Sequence, residues 1–376
     1  MVAVFYFLTS LGFLVYLTQI LTVRSVIKTP GKKSGFLPPI SVLKPLKGLD
    51  DNLFENLESF CNQDYPTYEI ILALREINDP AYKVAVKIKE KCKDKDITII
   101  AQWCEEGLNP KVNNLTSAYR ASKYDFFLIS DSNVLADKDY LRDTVRHMED
   151  GEVGLVSNLI RGTGARTVGS VFENLHLNTF ILYGVCFLDK ILKMPCVVGK
   201  SMLIRKSHFE AIGGFGAVKD HLAEDYIIGR KMKEAGFKVA LSNHVINTAN
   251  VYWQTGQFVS RHARWGKLRY RIGGVSYLGE LLGNFVFLSF IPLLFRGPSR
   301  FTVLLPLSAW LLKSCGDYLT GRMLKSEMHP LLYLLSPLKD IIIGVVWFVP
   351  IFSNSIEWRG DRYTITKDSL LHPCKL

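Results

Sequence analysis

The sequence predicts an α/β protein: a Rossmann-like nucleotide-binding domain on a parallel sheet, set between apolar segments of membrane length. Three observations predict it. Short β-rich runs alternate with helical patterns through the first third of the chain, the signature of βαβ units. The apolar run 126–129 stops abruptly at Ser130 and Asp131. Long apolar stretches occupy both ends of the chain. In an open α/β sheet, ligands bind outside the carboxyl ends of the strands. Asp131 therefore stands where a nucleotide or a metal-bound diphosphate is held, although a single Asp after a strand can simply begin a turn.

Taken in order, residues 2–23 are almost uninterruptedly apolar and carry no charge before Arg24, and roughly 20 such residues span a bilayer. No basic n-region and no small-x-small cleavage site precede Arg24, Lys28, Lys32 and Lys33, so the stretch reads as an anchor rather than a cleaved signal. The positive flank places the succeeding domain in the cytoplasm. This gives an N-terminal membrane anchor at 1–24, and a linker at 25–40 that holds Pro30, Gly31, Gly35, Pro38 and Pro39.

Strands are expected at 40–44, 68–74, 97–100 and 126–130, with helices around Leu53, Leu57 and Phe60, over 80–93 and over 113–122. Further strands are expected at 154–157 and 202–204, a long helix over 168–194, and a helix over 222–235 with Asp225 near its start. Residues 257–271 form a basic helix carrying Arg261, Arg264, Lys267, Arg269 and Arg271. Beyond it, 276–295, 301–320 and 331–353 are candidate membrane helices. Glu280, Lys313, Lys339 and Asp340 make them imperfect, which leaves re-entrant or interfacial packing open. The expected organisation is a cytosolic domain at 41–272, transmembrane or re-entrant helices at 273–353 and a tail at 354–376.

A length of 376 residues suits one large or two ordinary domains, and 48% hydrophobic residues fits neither a disordered chain nor a polytopic transporter. The net charge of +11 comes without an aromatic-interleaved basic array, so it points to an anionic membrane surface and not to nucleic acid. Seven scattered cysteines without CxxC spacing argue against zinc and against a disulfide framework.

Acidic residues recur where a nucleotide-diphosphate site needs them: Glu76 and Asp79 after the second strand, Asp131 after the fourth, and Glu224-Asp225 at a helix start. Such a site needs an acceptor for the base, a carboxylate for a metal and a general base for an incoming hydroxyl. Each alone is ordinary surface acid. Further along the chain stands Arg261-His262-Ala263-Arg264-Trp265, whose two arginines share a helix face and can hold a departing diphosphate. An amphipathic basic helix lying on anionic lipid is the alternative, and the two uses are compatible.

In these motifs the chain resembles the ceramide glucosyltransferases, membrane-bound inverting glycosyltransferases of the GT-A fold. The likeness rests on Arg75-Glu76-Ile77-Asn78-Asp79, Asn109-Pro110-Lys111-Val112-Asn113-Asn114, Asp131-Ser132-Asn133, Ala223-Glu224-Asp225, Gly213-Gly214-Phe215, Arg261-x-x-Arg264-Trp265 and Glu357-Trp358-Arg359-Gly360-x-Arg362-Tyr363. The resemblance implies a GT-A domain in which Glu76 and Asp79 contact the uridine of a UDP-sugar. Lys111 and Asn114 would line the diphosphate and sugar, and Asp131 would hold Mn2+ or Mg2+ on the diphosphate. Asp225 would take the acceptor's proton, while Arg261, Arg264 and Trp265 secure the leaving group and the acceptor. His176 lies in the region where these enzymes carry a histidine that affects substrate and inhibitor binding, though its spacing to Cys196 differs and a lone histidine there also reads as structural. The metal site departs from Asp-x-Asp, since Asn133 is a neutral and weaker ligand.

The resemblance thus implies transfer of a hexose, glucose first, from UDP to the primary hydroxyl of a membrane lipid such as ceramide, by a multi-pass protein whose catalytic domain faces the cytoplasm. A hopanoid-linked N-acetylglucosamine transferase shares the layout. Processive polysaccharide synthases have more membrane helices, and a non-catalytic scaffold would not keep Asp225 and Arg264-Trp265 intact.

Overall fold

The computed structural model describes residues 2–29, 34–194, 196–358 and 361–373. Pro30, Gly31, Lys32, Lys33, Arg359, Gly360 and Cys374 lie outside the described residues. The chain divides into two compact units, one of Lys28–Arg161 with Leu192–Ala249 and one of Met1–Ile27, Gly162–Ile191 and Asn250–Leu376. Residues 162–191 and 250–272, read from the sequence as part of the soluble domain, thus pack with the terminal segments.

The first unit is built on strands β1 (Ile40–Pro45), β2 (Tyr68–Leu74), β3 (Ile97–Ala101), β4 (Phe126–Ser130), β5 (Val134–Leu135), β6 (Val153–Thr163), β7 (Ser201–Arg205) and β8 (Lys238–Ala249). They form one sheet in the order β3-β2-β1-β4-β7-β6-β8-β5. Strands β1 to β4 pair in parallel, as the alternation with helices predicts. The second half does not follow the all-parallel expectation: β7 runs antiparallel to β4 and β6, and β5 antiparallel to β8. A run such as Met202-Leu203-Ile204 is buried on both faces in either direction, so its composition carries no direction signal. Strand β8 has no strand signature in the sequence, because Ser242, Asn243, His244, Asn247 and Thr248 break its apolar alternation. The core is Leu43, Ile71, Phe127, Ile129, Leu155, Met202 and Ile204, covered by Val112, Leu115 and Ala118 of the helix Pro110–Ala121. Burying each large apolar side chain contributes about 1.5–3 kcal/mol, and this core fixes β4 so that Asp131 emerges at its carboxyl end.

The second unit is helical. By length and composition, Ala3–Lys28, Val168–Lys190 and Pro330–Phe352 are long and apolar enough to cross a membrane, and the bent pair Thr255–Gly283 and Phe285–Arg296 adds a fourth if it counts as one span. This is a multi-pass membrane architecture. It differs in detail from the expectation. Residues 276–295 are not one helix, because the chain bends by 72° where Asn284 separates Gly283 from Phe285. The region 301–320 forms the helix Arg300–Met323, in which Lys313 and Asp317 interrupt the apolar run. Val168–Lys190, within the expected soluble domain, is also of membrane length, with a π-helical turn at Leu177–Ile181.

Lys313, Asp317, Lys339 and Asp340 of the C-terminal segments are paired and buried. Lys313 Nζ lies 2.9 Å from Asp317 Oδ1 and 3.4 Å from Asp340 Oδ2, and Lys339 pairs with Asp340 Oδ1. The hydroxyls of Tyr16 and Tyr183 each donate to Asp317 Oδ1 at 2.9 Å. Ionisable groups in apolar helices persist when they face one another in this way.

Candidate active site

The helix carrying Lys111 starts at Pro110 for local reasons. Asn109 caps it, its Oδ1 accepting from the amides of Lys111 (2.9 Å) and Val112 (3.1 Å), and proline suits the first helical position because its missing N–H has no intrahelical partner there. The Asn109 amide group then donates to His221 O at 2.7 Å, which ties this helix start to the segment leading into the helix Glu224–Glu234. Lys111 is the resulting junction. Its ammonium lies 2.9 Å from Asp131 Oδ1 and 2.8 Å from Glu224 Oε1, and donates to Gly199 O at 3.3 Å. Gly199 in turn donates its N–H to Asp225 Oδ2 at 2.8 Å. A Cβ at Gly199 would stand 2.6 Å from that oxygen, so only glycine permits the approach.

The electrostatics separate the two aspartates. Burial works to raise the Asp131 pKa, but the charges of Lys111 and Lys200 override it and hold the carboxyl at about 2. Asp225 is pushed up to about 6, by burial first and then by the negative charge of Glu224, against the pull of Lys111. A carboxylate whose pKa approaches the working pH is suited to accept a proton, and one held far below it stays an anion.

Asp131-Ser132-Asn133 forms a tight turn after β4. Lys44, wholly buried in β1, donates to Ser130 Oγ (3.2 Å) and to Asp131 O (2.9 Å) from beneath, and Ala249 N donates to Asn133 O at 3.1 Å. Lys200 Nζ lies 2.7 Å from Asn133 Oδ1 and 3.8 Å from Asp131 Oδ2. Asn114 Nδ2 donates to Leu46 O at 3.1 Å, closing the loop after β1. Asp79 caps the helix Pro80–Lys91 by accepting from Ala81 N, and also accepts from Gly48 N at 2.9 and 3.1 Å, while Glu76 is exposed on the preceding loop.

Thus Lys111, Asp131 and Asp225 are brought together, with Asn114 on the same helix as Lys111 and tied to the loop after β1. Glu76 is outside this hydrogen-bonded cluster. Arg261, Arg264, Trp265 and His176 belong to the helical unit. There, Arg261 is engaged by a buried acid: its Nε lies 3.5 Å from Glu173 Oε1, and its guanidinium stacks over Trp253 (4.9 Å) and Trp265 (4.4 Å). Glu173 also meets His262 Nε2 at 2.9 Å. His176 is fully buried against His262, Phe180 and Phe258, and neither of its ring nitrogens has a hydrogen-bond partner there.

The sequence reading passed over Gly199, Lys200, Lys44 and Glu173. Lys44 and Lys200 sit at the end and the start of apolar strands, as Asp131 does, and that shared position was the available signal. Glu173 carried none, since an acid within a helical pattern reads as a solvent position.

Comparisons with known proteins show the family and the fold. Ceramide glucosyltransferase 3 of Caenorhabditis elegans is 31% identical over 242 residues, which is 63% of this chain and 52% of that protein. Ceramide glucosyltransferase of Komagataella phaffii is 30% identical over 208 residues, 50% of this chain and 40% of that protein. The chain therefore spans about half the length of the curated relatives it matches. The fold is similar to that of the mannosyltransferase PcManGT from Pyrobaculum calidifontis, solved with GDP-Man and Mn2+, with a TM-score of 0.54 and 15% identity over 92% of this chain and 98% of that one. The description of glycosyl transferase family 21 matches residues 4–371, and the chain belongs to that family.

Proposed function

We propose that the protein is an inverting glycosyltransferase that moves glucose from UDP-glucose to the primary hydroxyl of ceramide, with its sheet unit on the cytoplasmic side of the membrane. The observation that carries the reading is the pairing of Asp225, with its pKa near 6, to the Lys111–Asp131 ion pair through Gly199. The relatives named as ceramide glucosyltransferases supply the donor and acceptor classes.

In this reading the Asp225 carboxylate takes the proton of the acceptor hydroxyl as its oxygen bonds to the anomeric carbon. The bond from that carbon to the β-phosphate oxygen breaks, its electron pair leaves with UDP, and the configuration inverts. Lys111 is placed for the charge that develops on the diphosphate, because charge-assisted donors act where charge appears. Asn114 and the loop carrying Glu76 and Asp79 would line the nucleotide and sugar.

A divalent ion, Mn2+ or Mg2+, is the cofactor the family resemblance implies. The donor set here does not fit a resident ion. Asp131 faces ammonium groups on both oxygens, Asn133 Oδ1 accepts from Lys200, and no group of three His, Cys, Asp or Glu side chains among the described residues could hold a metal.

The test is transfer of label from UDP-glucose, UDP-galactose and UDP-N-acetylglucosamine by the purified protein in lipid nanodiscs, with ceramide, diacylglycerol and a hopanoid alcohol as acceptors. Labelled glucosylceramide is the expected product. Transfer to the hopanoid alone would move the protein to another acceptor class.

A further inference from the structure

Lys200 occupies a position that the proposed mechanism does not use. The last register pair of the β4–β7 ladder is Ser130 with Ser201, so the next residues outward are Asp131 and Lys200, and Asp131 N meets Lys200 O at 3.4 Å. The sheet itself therefore sets Lys200 against the Asp131-Ser132-Asn133 turn. The residue is only 8% exposed, and its ammonium lies 2.7 Å from Asn133 Oδ1 and 3.8 Å from Asp131 Oδ2. Two oxygens from side chains two residues apart form the grip that an Asp-x-Asp turn offers a divalent ion. Here an ammonium group lies within that grip.

The second acid of such a turn is absent, and the charge pattern accounts for it. One carboxylate, Asp131, faces both Lys111 at 2.9 Å and Lys200 at 3.8 Å. Lys111 divides its charge between Asp131 and Glu224, at 2.9 and 2.8 Å, and Lys200 supplies a second cation at Asp131. The neutral Asn133 orients the Lys200 ammonium through a hydrogen bond without cancelling its charge.

We propose that Lys200 is a built-in cation, its ammonium standing in the place of a divalent ion between Asp131 and Asn133 and binding the donor diphosphate there. The proposal rests on the reading of the chain as a UDP-sugar transferase. It makes donor binding independent of divalent metal, with Lys111 and Lys200 receiving the diphosphate from adjacent sides of Asp131.

The experiment is calorimetric titration of UDP into the full chain in nanodiscs, in EDTA and again in Mn2+, with Mn2+ retention measured separately by electron paramagnetic resonance without nucleotide. For the wild type, UDP affinity is expected to differ by less than about threefold between the two conditions, with no Mn2+ retained. Lys200→Met is expected to weaken UDP binding in EDTA by about 10–100-fold, the loss of a hydrogen bond to a charged group, whereas Lys200→Arg stays within about tenfold of the wild type. One equivalent of Mn2+ held by the wild type, or UDP binding that collapses in EDTA, overturns the proposal without any variant having to fold. Unchanged UDP binding by a folded Lys200→Met protein overturns it as well. Failure of the wild type to bind UDP in either condition would instead remove the donor reading itself, and the inference with it.

Discussion

Two clusters of aspartate and lysine lie in this chain, and they are built to opposite ends. In the helical unit, Lys313, Asp317, Lys339 and Asp340 are buried and close on one another, with tyrosine hydroxyls on the Asp317 oxygen that Lys313 uses. In the sheet unit, Asp131 and Lys111 retain 27% and 20% exposure, and their neighbour Asp225 is held near the middle of the pH scale. The first arrangement holds helices together. The second keeps charge within reach of solvent, and one group poised to change protonation.

The contrast can be broken from either side. Asp225→Asn removes the proposed base and is expected to lower transfer by about 10²–10⁴-fold while UDP still binds, which rate and titration measurements separate. Asp317→Ala is expected to cost about 3–5 kcal/mol of stability, seen as earlier unfolding in detergent, because it strips Lys313 of its nearest acid. Arg261→Lys keeps the charge but loses the planar stack between Trp253 and Trp265; transfer should fall by about tenfold with UDP affinity unchanged. A fall in UDP affinity instead would return Arg261 to the diphosphate.

The smallest effect sharpens the comparison most. As the proposed base Asp225 would act as an anion, so activity should fall as the pH drops through about 6. Glu224 raises that pKa by its negative charge, so Glu224→Gln should move the acid limb of the rate profile to lower pH. An unmoved limb would show that another group titrates.

Much of this was legible in the sequence because strand ends, helix caps and glycines leave local marks. Asn109-Pro110 announces a helix start, and apolar runs ending on a polar residue locate β4 and its turn. The direction of β7 was not legible, since a strand buried on both faces reads alike in either sense. Nor was Glu173, and the strand-start position of Lys200 gave its place but not its partner, for their partners lie 89 and 67 residues away along the chain. Lys313, Lys339 and Asp340 look like flaws in membrane helices when each helix is read alone, because periodicity describes one helix at a time and their pairing joins two.

The most direct test of the account is the anomeric configuration of the product formed from UDP-α-glucose and ceramide in nanodiscs, read by proton NMR. A β-linked glucosylceramide that disappears in Asp225→Asn is the predicted result. An α-linked product, or a β-linked one formed undiminished by Asp225→Asn, would contradict it.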